Sequence, residues 1–203
     1  ETVQDHIKSY LPVNFTVIPV ALPEPTVRWD STYRSKNRFI FVGRLTKIKG
    51  LDTVIAALGK LSNDNWTLDV LGDGSEREEL EKRADVLGLN DKIIFHGYSE
   101  DADSLMSMSS CLLFPSHCEG YGLVPARAAQ IGLPVIASNI PTVLKMAGSN
   151  KYLVDPGDVQ GWHNAIFDFI STGRAVEIPV SNIHSFERMV DSNESIYTDL
   201  HCK

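Results

Sequence analysis

An α/β fold with a doubly wound parallel sheet is predicted by three observations. From Arg38 onward, short apolar runs alternate with stretches whose apolar residues recur at helical spacing. Cys111–Phe114 runs into a turn holding Glu119, Gly120 and Gly122, then a small-residue helix Val124–Ile131, Gly132 and a strand Pro134–Ala137. Strands joined through helices in this way take right-handed crossovers, which makes the sheet parallel and puts a ligand at the carboxyl ends of the strands. A glycine turn that aims backbone N–H groups into such a mouth, with a carboxylate beside it, suits a ligand carrying both phosphates and hydroxyls.

The elements follow in order. The first residues, to Tyr10, read as a short helix, and Phe15–Val20 is a β-branched run bracketed by prolines. The Pro23/Pro25 segment reads as an extended linker. Phe39–Val42 is the first strand of the alternating region. Leu51, Val54, Ile55, Leu58 and Leu61 mark one helix face. Trp66–Leu71 is the second strand. Ser75 with Glu78 forms a capping box for a helix burying Leu80, Ala84 and Leu87. Lys92–His96 is the third strand, Asp101–Ser109 a short helix, Cys111–Phe114 the fourth strand and Tyr152–Val154 the sixth. Val159–Ser171 is a helix with Trp162, Ile166 and Phe169–Ile170 inward, and Phe186–Lys203 spaces Phe186, Met189, Val190, Tyr197 and Leu200 as an amphipathic helix.

Composition removes several function classes. The 203 residues are 43% apolar, enough for a real core, yet hold no apolar run long enough to span a bilayer. A net charge of −7 with no basic-aromatic stripe argues against nucleic acid as a partner. The polar opening at Glu1 lacks a signal-peptide pattern, and the three cysteines (Cys111, Cys118, Cys202) have neither disulfide nor metal spacing. The expectation is a cytoplasmic protein with reduced thiols and no bound metal.

Two turns carry the chemistry. Gly43-Arg44-Leu45 followed by Lys49-Gly50 closes the first strand, and Glu119-Gly120-Tyr121-Gly122-Leu123 closes the fourth. Taken singly, Arg44 and Lys49 are two solvated cations before a helix, and Glu119 is a loop carboxylate. Together they closely resemble retaining nucleotide-sugar glycosyltransferases of family 4, whose catalytic units have the GT-B fold. The resemblance rests on the G-R-L-x-x-x-K-G turn and on E-G-F-G-L, continued here by Ala128, Gly132 and Pro134-Val135-Ile136-Ala137-Ser138. It covers about Arg38 to Ile170, one Rossmann-like half of a GT-B architecture.

The resemblance implies roles residue by residue. Arg44 and Lys49 bind the donor diphosphate, where fixed cations stabilise charge growing on the departing phosphate. Glu119 accepts from hydroxyls of the transferred sugar. Gly43, Gly120, Tyr121 and Gly122, with the N–H groups of Leu123 and Val124, surround the diphosphate, while Gly97 and Tyr98 neighbour the base. Gly72, in Gly72-Asp73-Gly74, is either a donor neighbour or a plain turn. Arg127 departs from the family, which has a second glutamate there, accepting from the ribose diol. Arginine has donors only, so Arg127 either makes a different donor contact or marks a lost site. Lys145, in the stretch after Ile140-Pro141, is a second change from acid to base.

The function so implied is retaining transfer from a nucleotide-diphosphate sugar, without a cofactor, to a glycan, lipid or small acceptor. Residues 1–35 would be a linker and flank, 36–175 the nucleotide-sugar-binding domain and 176–203 a tail and helix crossing towards an amino-terminal acceptor-binding half. That half would bring any association with a membrane surface. The alternative is a non-catalytic GT-B-like interaction module that has lost donor recognition at Arg127.

Overall fold

The computed structural model describes residues 21–30, 32, 37–62, 65–148, 152–176, 178–180, 187, 189–191 and 194. By packing, the chain divides into one unit of Glu24–Ile183 and another of Glu1–Pro23 with His184–Lys203. The helix expected up to Tyr10 and the run Phe15–Val20 lie outside the described residues. Of the expected helix Phe186–Lys203, the described residues Glu187, Met189, Val190, Asp191 and Glu194 are helical.

Within Glu24–Ile183 the order is β1 (Arg38–Val42), α1 (Leu51–Leu58), β2 (Thr67–Leu71), α2 (Arg77–Val86), β3 (Ile93–Gly97), α3 (Ala102–Ser107), β4 (Cys111–Phe114), α4 (Leu123–Ile131), β5 (Val135–Ser138), α5 (Pro141–Ala147), β6 (Leu153–Val154) and α6 (Val159–Thr172). The six strands form one parallel sheet in the order β3-β2-β1-β4-β5-β6. The expected doubly wound, Rossmann-like sheet is therefore met. After β3 the chain returns across β1 to lay down β4, so the order reverses between β1 and β4. Their diverging turns open a crevice at the carboxyl ends.

Register explains the core. Phe39 pairs with Leu68 and with Cys111, and Leu68 with Ile93, so these share one face of the sheet. Helices α1, α2 and α6 cover that face with Val54, Ile55, Leu58, Leu80, Trp162, Ile166 and Phe169, all buried. The Phe39 and Phe169 rings lie 5.8 Å apart, tilted. Each such side chain contributes about 1.5–3 kcal/mol by leaving water. The segment entering the sheet is fastened by Trp29, whose N–H donates to the Ile131 carbonyl at 2.7 Å and whose Nε1 donates to the Ser109 carbonyl at 2.7 Å.

The opposite face is closed differently over β2 and β3. Ile40, Asp69 and Ile94 form one row there, and Ile94 stays 48% exposed. Asp69 is buried, held by Arg38 Nε at 2.5 Å and His96 Nε2 at 2.6 Å. A buried carboxylate is tolerable only when both oxygens are matched, as here. His96 is thus a structural partner of Asp69.

Three local expectations are corrected. The Ser75–Glu78 capping box does not form. Instead the Glu76 N–H donates to the Leu45 carbonyl at 2.9 Å and the Arg77 N–H to the Gly74 carbonyl at 3.2 Å, and α2 starts only at Arg77. Leu87 is 41% exposed because it follows the end of α2, and Leu89 takes the buried place beyond Gly88. Helix α5 was not expected at all: its seven residues begin at Pro141, which reads as a break in sequence but here occupies the first turn, where its missing N–H costs nothing.

Candidate active site

The mouth is built from glycines before any charged group is considered. The Gly43 N–H donates to the Leu71 carbonyl at 2.9 Å, the Leu45 N–H to the Asp73 carbonyl at 2.9 Å and the Gly72 N–H to the Gly97 carbonyl at 2.7 Å. The turns after β1, β2 and β3 are thereby stitched edge to edge. A Cβ at Gly72 would stand 1.9 Å from the Gly43 oxygen, and Gly72 has φ +130°. Only glycine fits such a crossing. Above it lies a cavity of about 350 Å³ lined by Val42, Gly43, Arg44, Gly72, Tyr98 and Ala102 among others. Tyr98 is 80% exposed at its rim. Asp73 also borders the cavity, but its carboxylate is held by Arg77 Nη1 at 3.3 Å and by the Gly74 N–H at 2.7 Å. Glu81 bonds the same guanidinium and raises its pKa. Asp73 is accordingly a turn residue.

A second crossing joins the turns after β1 and β4. Lys47–Lys49 forms one 3-10 turn that ends at Gly50 with φ +64°. A Cβ on Gly50 would lie 2.3 Å from the Pro115 oxygen, and the His117 N–H donates to the Ile48 carbonyl at 2.8 Å. This contact brings Lys49 against Glu119, with Nζ 2.5 Å from Oε1, although the two are 70 positions apart. The buried Ser116 hydroxyl donates to the same Oε1 at 2.8 Å, and Thr142 Oγ1, from α5, donates to the Glu119 carbonyl at 2.7 Å. Glu119 is thus fixed at both side chain and backbone.

Beyond Glu119, Gly120 and Tyr121 lead to Gly122, whose φ of +80° starts α4. No side chain caps the first N–H groups of α4, those of Leu123 and Val124. A helix start of this kind suits an anion, and Lys49 is tied to the same turn through Glu119. Gly120 is exposed and a Cβ there would meet nothing, so its role is not steric. Gly97, with φ +75°, is buried, and its carbonyl is occupied by Gly72; among the two expected base neighbours, Tyr98 is the one that lines the cavity.

Arg127 lies one turn inside α4. Its Nε is 3.3 Å from Asp103 Oδ1, and its Nη1 donates to Gln130 Oε1 at 3.0 Å. Lys145 is exposed in the last turn of α5; from that helix Thr142 bonds the Glu119 carbonyl, and Thr142 and Met146 lie against Gly122. Asp158 caps α6 by accepting from the Gly161 N–H at 2.9 Å, as expected of a cap. Among the described residues no group of His, Cys, Asp and Glu could hold a metal ion, and no helix is long and apolar enough to cross a membrane. A cavity of about 710 Å³ lined by Trp29, Gly132, Pro134, Tyr152 and Arg174 contains none of the candidate residues.

Ser116, Thr142 and Asp103 are the site neighbours that sequence reasoning missed. Ser116 carried a signal, since it follows Pro115 directly at the end of β4. Thr142 and Asp103 carried none, because each is an ordinary polar residue early in a short helix.

The geometry agrees with what comparison with known proteins gives. The family of glycosyl transferases group 1 matches residues 26–182. The lipopolysaccharide 1,6-galactosyltransferase of Escherichia coli K12 is 31% identical over 142 residues, covering 66% of this chain and 39% of that protein. The lipopolysaccharide core biosynthesis glycosyltransferase LpsD of Rhizobium meliloti is 33% identical over 150 residues, covering 72% and 43%. The chain thus spans less than half the length of either relative. Among solved structures, sucrose-phosphate synthase from Thermosynechococcus elongatus superposes with a TM-score of 0.82 at 21% identity, covering 98% of this chain and 56% of that one. Anabaena HepE, solved with UDP and glucose, superposes with a TM-score of 0.69 at 23% identity, covering 83% and 49%. On the span of the family match, together with a parallel sheet whose mouth carries the family's two turns, this chain belongs to the glycosyl transferases of group 1.

Proposed function

We propose that this chain is the nucleotide-sugar-binding half of a retaining glycosyltransferase, completed by an amino-terminal half that binds a glycan, lipid or small acceptor. The observation that carries the reading is the meeting of Lys49 and Glu119 at the start of α4, 2.5 Å apart. One group is suited to a phosphate and the other to sugar hydroxyls, and they stand where a sugar diphosphate would join the two. Anabaena HepE, a structural neighbour, was solved with UDP-glucose. By analogy the donor here is a nucleoside diphosphate sugar, with the base in the cavity beside Tyr98.

With the donor absent, Lys49 and Glu119 neutralise each other. Donor entry exchanges that pair for two: Lys49 with the diphosphate, Glu119 with hydroxyls of the sugar. As the glycosidic bond breaks, negative charge grows on the leaving phosphate, and Arg44, Lys49 and the N–H groups of Leu123 and Val124 stabilise it more than they stabilise the bound donor. In this reading Glu119 is engaged with the sugar hydroxyls, Asp73 with Arg77 and Asp103 with Arg127, which favours attack by the acceptor on the face the diphosphate leaves. The cations take the part a metal would otherwise play.

Calorimetry with UDP, GDP and ADP sugars is the test. Binding of one of them, weakened about tenfold or more by Arg44→Ala and by Glu119→Ala, is expected from the loss of a charged hydrogen bond. A folded chain that binds none of them would sink the reading. The rival reading, an interaction module without donor recognition, draws on Arg127, which offers donors alone where a diol needs acceptors. It requires both substitutions to leave partner binding unchanged.

A further inference from the structure

Arg127 cannot accept a hydrogen bond, yet it is not isolated from an acceptor. Side chains on a helix lean towards its amino end, so Arg127 reaches back to the mouth. Its guanidinium meets Asp103 of α3, Nε to Oδ1 at 3.3 Å, while Gln130 Oε1 accepts from Nη1 at 3.0 Å. The Arg127 side chain is 16% exposed and that of Asp103 is 31% exposed, so the pair sits at the surface with its carboxylate outermost. Asp103 Oδ1 is taken by Arg127, and Oδ2 has no partner among the described residues.

The position of Asp103 matters as much as its free oxygen. Ala102, the residue before it, lines the cavity with Gly43, Arg44, Gly72 and Tyr98. On the other side α3 packs against α4, whose first N–H groups have no side-chain cap. A nucleoside diphosphate with its base in the cavity and its phosphates at α4 must carry its furanose across the α3–α4 boundary. The vicinal hydroxyls of that ring need acceptors, and a carboxylate can take two hydroxyls at once. Of the other carboxylates at the mouth, Asp73 has both oxygens taken, by Gly74 and Arg77, and Glu119 is assigned to the transferred sugar in the reading above.

We propose that Asp103 is the residue that recognises the ribose diol of the donor, with Arg127 as the positioning residue that holds its carboxylate towards the mouth. Cation and carboxylate have exchanged helices relative to the arrangement the family resemblance implies. The exchange keeps one acceptor at the mouth and explains how an arginine occupies α4 without loss of nucleotide recognition. This inference rests on the donor-binding reading above and makes the chain selective for ribonucleotides.

The test titrates the whole chain by calorimetry with UDP, GDP and ADP, each beside its 2′,3′-dideoxy form. The expected result is a preference of about tenfold for the hydroxyl-bearing form of whichever diphosphate binds. Asp103→Ala, which leaves no acceptor, should abolish that preference while leaving affinity for the dideoxy form unchanged. Arg127→Gln should reduce the preference in the same direction by a smaller factor, and it carries the test if the Asp103 variant does not fold. Equal binding of both forms by the unaltered chain overturns the proposal while leaving donor binding intact. So does a loss in either variant that weakens both forms alike, the mark of a merely structural pair. Failure of every diphosphate to bind overturns the donor reading and this proposal with it.

Discussion

On one side of the mouth the turns after β1 and β2 cross so closely that a Cβ at Gly72 would stand 1.9 Å from the Gly43 oxygen; on the other, a Cβ at Gly120 would meet no atom within 4 Å. The first wall is a backbone fit, closed by main-chain hydrogen bonds from Gly43, Leu45 and Gly72. The second is anchored by its own backbone crossing at Gly50 and Pro115, but Glu119 on it is held by side chains, with Lys49 and Ser116 on its carboxylate and Thr142 on its carbonyl. A backbone fit has no partial states, so the cavity beside Tyr98 has a fixed shape. Side-chain bonds can be exchanged for ligand bonds, so the wall around Glu119 is the one a substrate can reorganise. Under the proposed function, the rigid wall would serve the base and the exchangeable one the sugar phosphate.

Substitutions at the two walls should therefore separate in size. The largest effect belongs to Gly72→Ala. It forces a methyl group into a neighbouring carbonyl at a positive φ, and urea unfolding should record a loss of about 3 kcal/mol or more. A loss under about 1 kcal/mol would mean that the crossing opens easily and that the first wall is not rigid.

Next comes Lys49→Ala, which strands the Glu119 carboxylate in a mostly buried position. A loss of about 1–3 kcal/mol is expected by the same measurement. Glu119→Gln should cost less stability, because an amide still accepts from Ser116. It should lower donor affinity at least as much. If the two variants lost stability equally, the pair would be structural first and functional second.

Thr142→Val removes one hydrogen bond to the Glu119 carbonyl at nearly constant volume and should cost about 1 kcal/mol, with Thr142→Ser restoring it. Thermal melting of the three forms side by side would register this. A valine form as stable as the parent would take α5 out of the account of the second wall. Smallest of all is Gly120→Ala, expected within about 0.5 kcal/mol because the added methyl points into open space. Any change it makes in donor binding would then be a steric effect on the ligand alone.

Much of the fold was legible along the chain. Apolar runs located all six strands of the described region to within a residue or so; strands buried on both faces, such as β4 and β5, have a plain signature of consecutive apolar residues, while β3 keeps Ile94 and His96 on its open face. Helix α5 escaped since seven residues opened by a proline are too few to display a period. The Ser75–Glu78 box failed for a different reason. Its helix start was already held by the carbonyls of Leu45 and Gly74, and a local cap could not compete with a turn packed from outside. At the site, Arg44, Lys49 and Glu119 could be nominated from their turns. That Lys49 would bond Glu119 could not, nor that Arg127 would face Asp103. On α5 the residue that holds Glu119 is Thr142, while Lys145, the residue the sequence suggests, is exposed on the same helix.

What the sequence determined by itself was the alternation of elements and the composition of two glycine turns, since both depend on near neighbours in the chain: burial period, β-branching, and the positive φ that glycine permits. The tertiary structure alone decided which turn meets which. Strand β4 lies beside β1 rather than beside β3, and the packing of Gly50 on Pro115 follows from that order. Only then do residues 70 positions apart become one ion pair, because strand order is set by the packing of whole layers and leaves no mark on any local stretch of residues.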